Sequence, residues 1–222
     1  MCFSATADLV AGVVVGSLGV DALRHARLPS QWMLASLPVV LAVHEIIEAF
    51  VWWQLHGHIS EGVGKAATVA YLLIAFGLLP VLVPVAVGAL EPRPAGRRMK
   101  VFTAIGAAVA LILVYSVLRG PVTTAIEGHH ISYEVDLYRG GLLVALYVLA
   151  TCGSLLASHH RHVRWFGAVN LVVVVVLATV DKTAFISLWC AWAAVTSGGI
   201  ALHLRHVEPR PGHRHHVLTS AG

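Results

Sequence analysis

The chain has 222 residues, of which 58% are hydrophobic and only 12% are charged, and its mean hydropathy is +0.80. This composition excludes an ordinary soluble domain and indicates a membrane protein. The net charge of +4 does not call for a nucleic-acid partner, because the basic residues follow a pattern of membrane topology.

Seven apolar segments are close to the length of about 20 residues that a transmembrane helix requires. They cover residues 5–23, 31–54, 66–90, 99–118, 138–157, 164–181 and 184–204. The connections are short, so the sequence predicts an all-α polytopic membrane protein. We expect one bundle of seven transmembrane helices over residues 1–207 and a disordered, His-rich tail over 208–222.

The basic residues predict the orientation of the bundle. Of the 15 Lys and Arg residues, most lie in the first, third and fifth loops and in the tail. The positive-inside rule then places the N-terminus outside and the C-terminus in the cytoplasm of a bacterial inner membrane. The residues on the predicted inner side are Arg24, Arg27, Arg93, Arg97, Arg98, Lys100, Arg161, Arg164, Arg205, Arg210 and Arg214.

The first span carries the segment GVVVG, from Gly12 to Gly16, whose spacing lets two helices approach closely. Just before this span lies Cys2. Removal of Met1 would leave the amine and thiol of Cys2 near the outer mouth of the bundle, which makes Cys2 a candidate ligand.

The second span contains His44, Glu45 and Glu48 within an otherwise apolar stretch. At about 100° per residue, Glu48 falls between His44 and Glu45, so all three point into one sector of the helix. Carboxylates inside a bilayer cost several kcal/mol unless they are protonated, paired or hydrated. The group is therefore a candidate site for a divalent cation, a cationic solute or a shared proton. The alternative is a structural role, with a protonated Glu bonded to a neighbouring carbonyl or hydroxyl group.

The third span contains Pro80 and Pro84, each of which removes a backbone donor. We expect a kink there, with neighbouring groups satisfying the freed carbonyls. A cavity beside the kink and a packed kink are both compatible with this pattern.

The longest outer loop follows the fourth span and carries Glu127, His129, His130 and Tyr133. This loop could fold over the bundle as a lid that contributes a ligand. The alternative is an ordinary solvated loop.

The sixth span contains LVVVVVLATV and is expected to face lipid. In the seventh span, small residues recur at helical spacing and form one narrow face. This face is either a packing seam or the wall of a polar pocket onto which Ser187 and Cys190 open. Its members are Ser187, Cys190, Ala194, Ser197 and Ala201.

Histidines concentrate in the segment 158–162 and in the tail 203–216. Such tracts can collect zinc, nickel or copper. An exposed basic tail without metal is the competing interpretation.

Three stretches resemble an uncharacterised family of bacterial seven-span membrane proteins that begin Met-Cys-Phe-Ser-Ala. These are Met1 to Ala5, Glu48 followed by AFVW, and SLWCAWAAVTS at 187–197. The resemblance implies functional positions at Glu48, Trp52, Trp189 and Cys190, with Gln usual where this chain has His44. It implies no established activity.

The sequence therefore predicts a membrane protein with an outward-facing pocket that binds a cation or small ligand for transport or sensing. The alternatives are a membrane-embedded metal-dependent hydrolase and a structural partner subunit. A divalent metal such as zinc and a homo-oligomeric assembly are both compatible with the sequence. The predicted ligand-binding residues are Cys2, Glu45, Glu48, Trp52, Tyr133, Ser187, Trp189 and Cys190, and the predicted metal ligands are His44, Glu48, His129, His130 and Cys190.

Overall fold

The computed structural model of the protein describes residues 4–92, 96–128, 130–180 and 185–206. For residues 177–180, 185–191, 193, 203 and 206 it describes the backbone alone. The residues Cys2 and His129 and the tail, for which the sequence makes predictions, therefore lie outside the described residues.

The described chain is mostly helical. Its helices are α1 Ala5–His25, α2 Pro29–Leu55, α3 Glu61–Leu90, α4 Gly96–Arg119, α5 Gly140–Leu156, α6 Arg161–Val180 and α7 Phe185–His206. Within this part of the chain, the four helices α1 to α4 are long and apolar enough to cross a membrane, and α5 is a shorter apolar helix. A membrane protein built from helices, as the sequence predicts, is consistent with this architecture.

A β-hairpin interrupts the helices between α4 and α5, in the segment predicted as the outer loop. Strand β1, Val122–Glu127, pairs antiparallel with strand β2, His130–Val135. Both strands contain β-branched residues, and the turn between them includes Gly128 at a positive φ of 60°. The sequence predicts a loop here, and the hairpin is the exception in a described chain that is otherwise mostly helical. In β2, the residues ISYEV alternate between apolar and polar side chains, which suits a strand with one packed face.

Helices α1 and α2 pack closely along a row of glycines. A Cβ on Gly12 would lie 2.7 Å from Cγ1 of Ile46, and one on Gly19 would lie 2.9 Å from the backbone nitrogen of Val39. A Cβ on Gly16 would contact that of Ala42 at 3.4 Å. The close approach expected from GVVVG is confirmed, and Gly19 extends it by one further turn.

Helix α3 changes its winding ahead of Pro80. Residues Leu73–Leu78 form a π-helical segment, in which the N–H of Leu79 bonds to the carbonyl of Ile74, five residues earlier. The next bond of this kind would join the N–H of residue 80 to the carbonyl of Ala75, but residue 80 is a proline and has no N–H to donate. The hydroxyl of Tyr147 on α5 donates to that carbonyl instead, at 2.9 Å. The expectation that a neighbour satisfies a carbonyl freed by the proline is thus confirmed.

Two polar contacts tie helix ends together. Arg205 on α7 donates to both carboxylate oxygens of Asp21 on α1, each at 2.7 Å. Glu91, directly after α3, accepts from the hydroxyl of Ser158 and from the backbone N–H of His159, ahead of α6. Because each contact joins segments far apart in sequence, together they fix the relative positions of α1, α3, α6 and α7.

Candidate functional site

Three buried carboxylates meet between α1 and α2. Asp8 comes from the first turn of α1, and Glu45 and Glu48 come from the middle of α2. Their exposed fractions are 0%, 1% and 0%. Each offers an oxygen, and these oxygens all lie within 4.8 Å of one another. This group is called the acid cluster below.

Local structure explains why Asp8 reaches the cluster. Ser4 caps α1 by accepting from the N–H of Ala7, at 3.2 Å. This cap starts the helix so that Asp8 lies in its first turn, where the helix dipole favours an acidic side chain. The close approach at Gly12, one turn later, brings this end of α1 against α2. A short cap and one glycine therefore place the third carboxylate.

The carboxylate of Asp8 is buried, and neither of its oxygens has a hydrogen-bond partner among the described residues. The indole of Trp52, a residue 3% exposed, approaches this carboxylate. Three ionised carboxylates at this spacing in a medium of low polarity repel strongly. A bound cation or one or more protons would remove that repulsion.

The β-hairpin closes over the acid cluster. The hydroxyl of Tyr133, on β2, donates to Oε1 of Glu48 at 3.3 Å. Ile131 on the same strand is 1% exposed and packs with Val51 and Trp52 of α2. The hairpin is therefore packed on the bundle through the side chains of Tyr133 and Ile131.

A stack of three rings separates the cluster from a neighbouring cavity. His44 stacks on Tyr71 with ring centroids 3.8 Å apart, and Tyr71 stacks on Tyr133 at 4.8 Å. His44 is buried, but it is not among the residues whose ligand atoms converge with those of Asp8. The structure thus places Glu45 and Glu48 in the cluster and His44 on the side that faces Tyr71.

The remaining predicted residues fall into two groups. His130 lies at the turn end of β2, where its Nε2 is 4.0 Å from Oε2 of Glu127, and it is not part of the acid cluster. Cys2 and His129 lie outside the described residues, and for three residues of α7 only the backbone is described, which places them in the first turns of that helix. These three are Ser187, Trp189 and Cys190.

Sequence reasoning missed Asp8. The signal that could have found it is position: Asp8 begins the first span, at the end predicted to lie outside, where the sector of Glu45 and Glu48 also lies. An acid at the start of a span is usually assigned to the interface. Its true environment depends on which helix packs beside it, and that information is tertiary.

The chain was compared with known proteins. No curated protein and no solved structure matches it. A family model described as "Family of unknown function (DUF6629)" matches residues 1–215. Since the match covers nearly the whole chain, the protein belongs to the DUF6629 family.

Proposed function

We propose that the protein is a seven-span membrane protein, with its N-terminus outside, whose acid cluster binds a divalent cation for transport or sensing. The observation that carries this proposal is the convergence of Asp8, Glu45 and Glu48, all nearly inaccessible to solvent. Gathering three buried carboxylates so close together is costly, and binding a species that neutralises part of their charge offsets that cost. A proton shared between the carboxylates would also reduce their charge and is the alternative to a cation.

The donor atoms favour a hard cation. The acid cluster offers only carboxylate oxygens among the described residues, and oxygen donors suit Ca²⁺, Mg²⁺ or Mn²⁺ better than a soft metal. A thiolate from Cys2 or Cys190 joining the cluster would shift this preference toward zinc. The measured preference between hard cations and zinc therefore indicates whether a thiolate joins the carboxylates of the acid cluster.

Binding is supported better than either alternative function. A hydrolase needs an open coordination position and a route for its substrate, whereas the carboxylates of the acid cluster are at most 1% exposed. A purely structural subunit should have its buried carboxylates bonded, whereas the two oxygens of Asp8 have no hydrogen-bond partner among the described residues. The burial of the carboxylates and the unbonded oxygens of Asp8 therefore both favour a binding site over the two alternatives.

The test uses the purified full-length protein in detergent. Bound metal is measured by elemental analysis, and thermal stabilisation is measured across a series of Ca²⁺, Mg²⁺, Mn²⁺ and Zn²⁺. A cation that binds the folded state raises the midpoint of unfolding in a concentration-dependent way. The variants Asp8→Asn and Glu48→Gln should weaken that response at least tenfold in apparent affinity, about 1.4 kcal/mol.

The matched control is Glu61→Gln, because Glu61 is an exposed acid at the start of α3, paired with Lys65. This variant should respond to the cation like the wild type. Without cation, Asp8→Asn and Glu48→Gln should fold at least as stably as the wild type, since each removes a buried charge. If no cation stabilises the wild type and both variants unfold, the acid cluster is structural and the proposal is wrong.

A further inference from the structure

A cavity lies beside the acid cluster, on the far side of Tyr133. Its volume is about 230 Å³, and aliphatic and aromatic side chains of α3, α4, α5 and α6 form most of its wall. The polar groups that reach the wall belong to His44, Tyr71, Tyr133, Tyr147 and Thr151. No carboxylate of the acid cluster lines it. This space, called the ring cavity below, is therefore chemically distinct from the proposed cation site.

Among the described residues that line the ring cavity, one side chain has a buried polar atom without a hydrogen-bond partner. Tyr133 donates to Glu48, Tyr147 donates to the carbonyl of Ala75, and Thr151 donates to the carbonyl of Tyr147. His44 is 5% exposed, and its Nε2 has no hydrogen-bond partner among the described residues. A buried polar atom without a partner costs about 1–3 kcal/mol, so a ligand that bonds it is strongly favoured at this position.

The ring cavity is reached from the apolar exterior of the bundle. Val144 on α5 belongs to its wall and is also 58% exposed. Since α5 is an apolar helix, the exterior at this point is a surface that suits lipid and not water. A molecule that enters past Val144 must therefore be soluble in the bilayer.

The size and shape of the ring cavity fit a small flat molecule. An engineered protein cavity of about 150 Å³ lined by aliphatic and aromatic side chains holds one benzene molecule. The ring cavity is larger, which leaves room for two fused rings. His44, Tyr71 and Tyr133 stack on one another and line the site, and aromatic side chains favour a planar aromatic partner in offset or edge-to-face contact.

We infer that the ring cavity binds a membrane-soluble ring compound whose oxygen bonds Nε2 of His44, and that quinones are the chemical class that fits best. A quinone is planar, dissolves in lipid and carries carbonyl oxygens, which accept from Nε2 of His44 in the tautomer that holds the imidazole proton there. A lipid acyl chain fills apolar volume equally well, but it brings no polar atom to His44. The inference does not depend on cation binding, because its residues and its ligand are different.

The experiment compares 1,4-naphthoquinone with naphthalene, which has the same two rings and no oxygen. Binding to the purified full-length protein in lipid nanodiscs is measured by titration calorimetry in the absence of divalent cations. Saturable binding of naphthoquinone, at least fivefold tighter than that of naphthalene, is the expected result. His44→Leu should remove this preference and leave the binding of naphthalene unchanged.

A second pair of variants keeps the test decisive if His44→Leu does not fold. Val144→Trp should obstruct the entrance and weaken naphthoquinone binding at least tenfold. Val172→Trp is the control, because Val172 on α6 is 61% exposed and is not part of the cavity wall. It should bind like the wild type. Equal binding of both probes, equal effects of the two Trp variants, or a co-purified acyl lipid that naphthoquinone does not displace would overturn the inference.

Discussion

The hydroxyl of Tyr133 donates to Glu48 across 85 positions of the chain, at 3.3 Å. The ring of Tyr133 also stacks on Tyr71, so one side chain links the hairpin to both α2 and α3. Because Tyr133 also belongs to the wall of the ring cavity, it is the shared boundary between the two proposed sites.

Replacing Tyr133 by Phe should keep the ring stack and remove the bond to Glu48. We expect the free energy of unfolding to fall by about 1–2 kcal/mol, since a buried acceptor loses its donor. Thermal unfolding in detergent measures this change. Tyr138→Phe is the matched control, because Tyr138 is 83% exposed and should give no shift. Equal stability of the two variants would show that the bond to Glu48 contributes nothing to the fold.

The bond from Tyr147 to the carbonyl of Ala75 gives a second prediction. Tyr147→Phe leaves that carbonyl without a donor inside an apolar environment, where water does not replace the lost bond. We expect a loss of about 1–3 kcal/mol in unfolding free energy. Tyr115→Phe, at a position 59% exposed, should be neutral in the same thermal assay. A neutral Tyr147→Phe would mean that the π-helical segment holds its shape without this contact.

Gly106 gives a third prediction, on packing. A Cβ at Gly106 would collide with the carbonyl oxygen of Pro80, which is backbone and cannot rotate away. We expect Gly106→Ala to destabilise the protein by about 1–3 kcal/mol through forced separation of α3 and α4.

The control for this packing test is Gly141→Ala, because nothing lies within 4 Å of a Cβ added at Gly141 on α5. Alanine favours helix over glycine, so this variant should be unchanged or more stable by up to about 1 kcal/mol. Thermal unfolding of both variants side by side measures the contrast. If Gly106→Ala were as stable as Gly141→Ala, α3 and α4 would not be held in contact at Pro80.

The proposed orientation is tested by reporter fusions. A reporter after Gly222 should be active in the cytoplasm, and one before Met1 should be active outside, because most Lys and Arg residues lie in the loops assigned to the inner side. A further reporter inserted at Gly128, in the turn of the hairpin, should be exported. A cytoplasmic signal at Gly128 would place the acid cluster on the inner side and contradict the proposed orientation.

The apolar helices could be predicted from the sequence because length and hydrophobicity are local properties. The predicted segments 5–23 and 99–118 correspond to Ala5–His25 and Gly96–Arg119, with differences of a few residues at the ends. The third helix begins at Glu61, whereas the sequence predicts a start at residue 66. The prediction omits the first turns because they are only weakly apolar. Such boundaries depend on capping and on packing, which hydrophobicity does not report.

The membership of the acid cluster could be predicted only in part. The spacing of Glu45 and Glu48 along α2 gives their common sector, and the structure places both in the cluster. The same spacing puts His44 near Glu48, yet the two side chains contact different helices. His44 stacks on Tyr71 of α3, whereas Glu48 lies with Glu45 beside Asp8 of α1. The angle around one helix does not say which helix lies beside each side chain, and that choice decides the site.

The row of glycines between α1 and α2 also affects how the protein is made. Along the chain, α1 and α2 precede the hairpin that supplies Tyr133, so in the proposed membrane topology Glu45 and Glu48 must be accommodated before that hairpin exists. The close contacts at Gly12 and Gly19 would let α1 and α2 pair at that stage and would bring Asp8 to the two glutamates early. A bulky residue at Gly12 would therefore act at the translocon, by exposing two glutamates of a newly inserted helix to lipid, before the rest of the bundle has been translated.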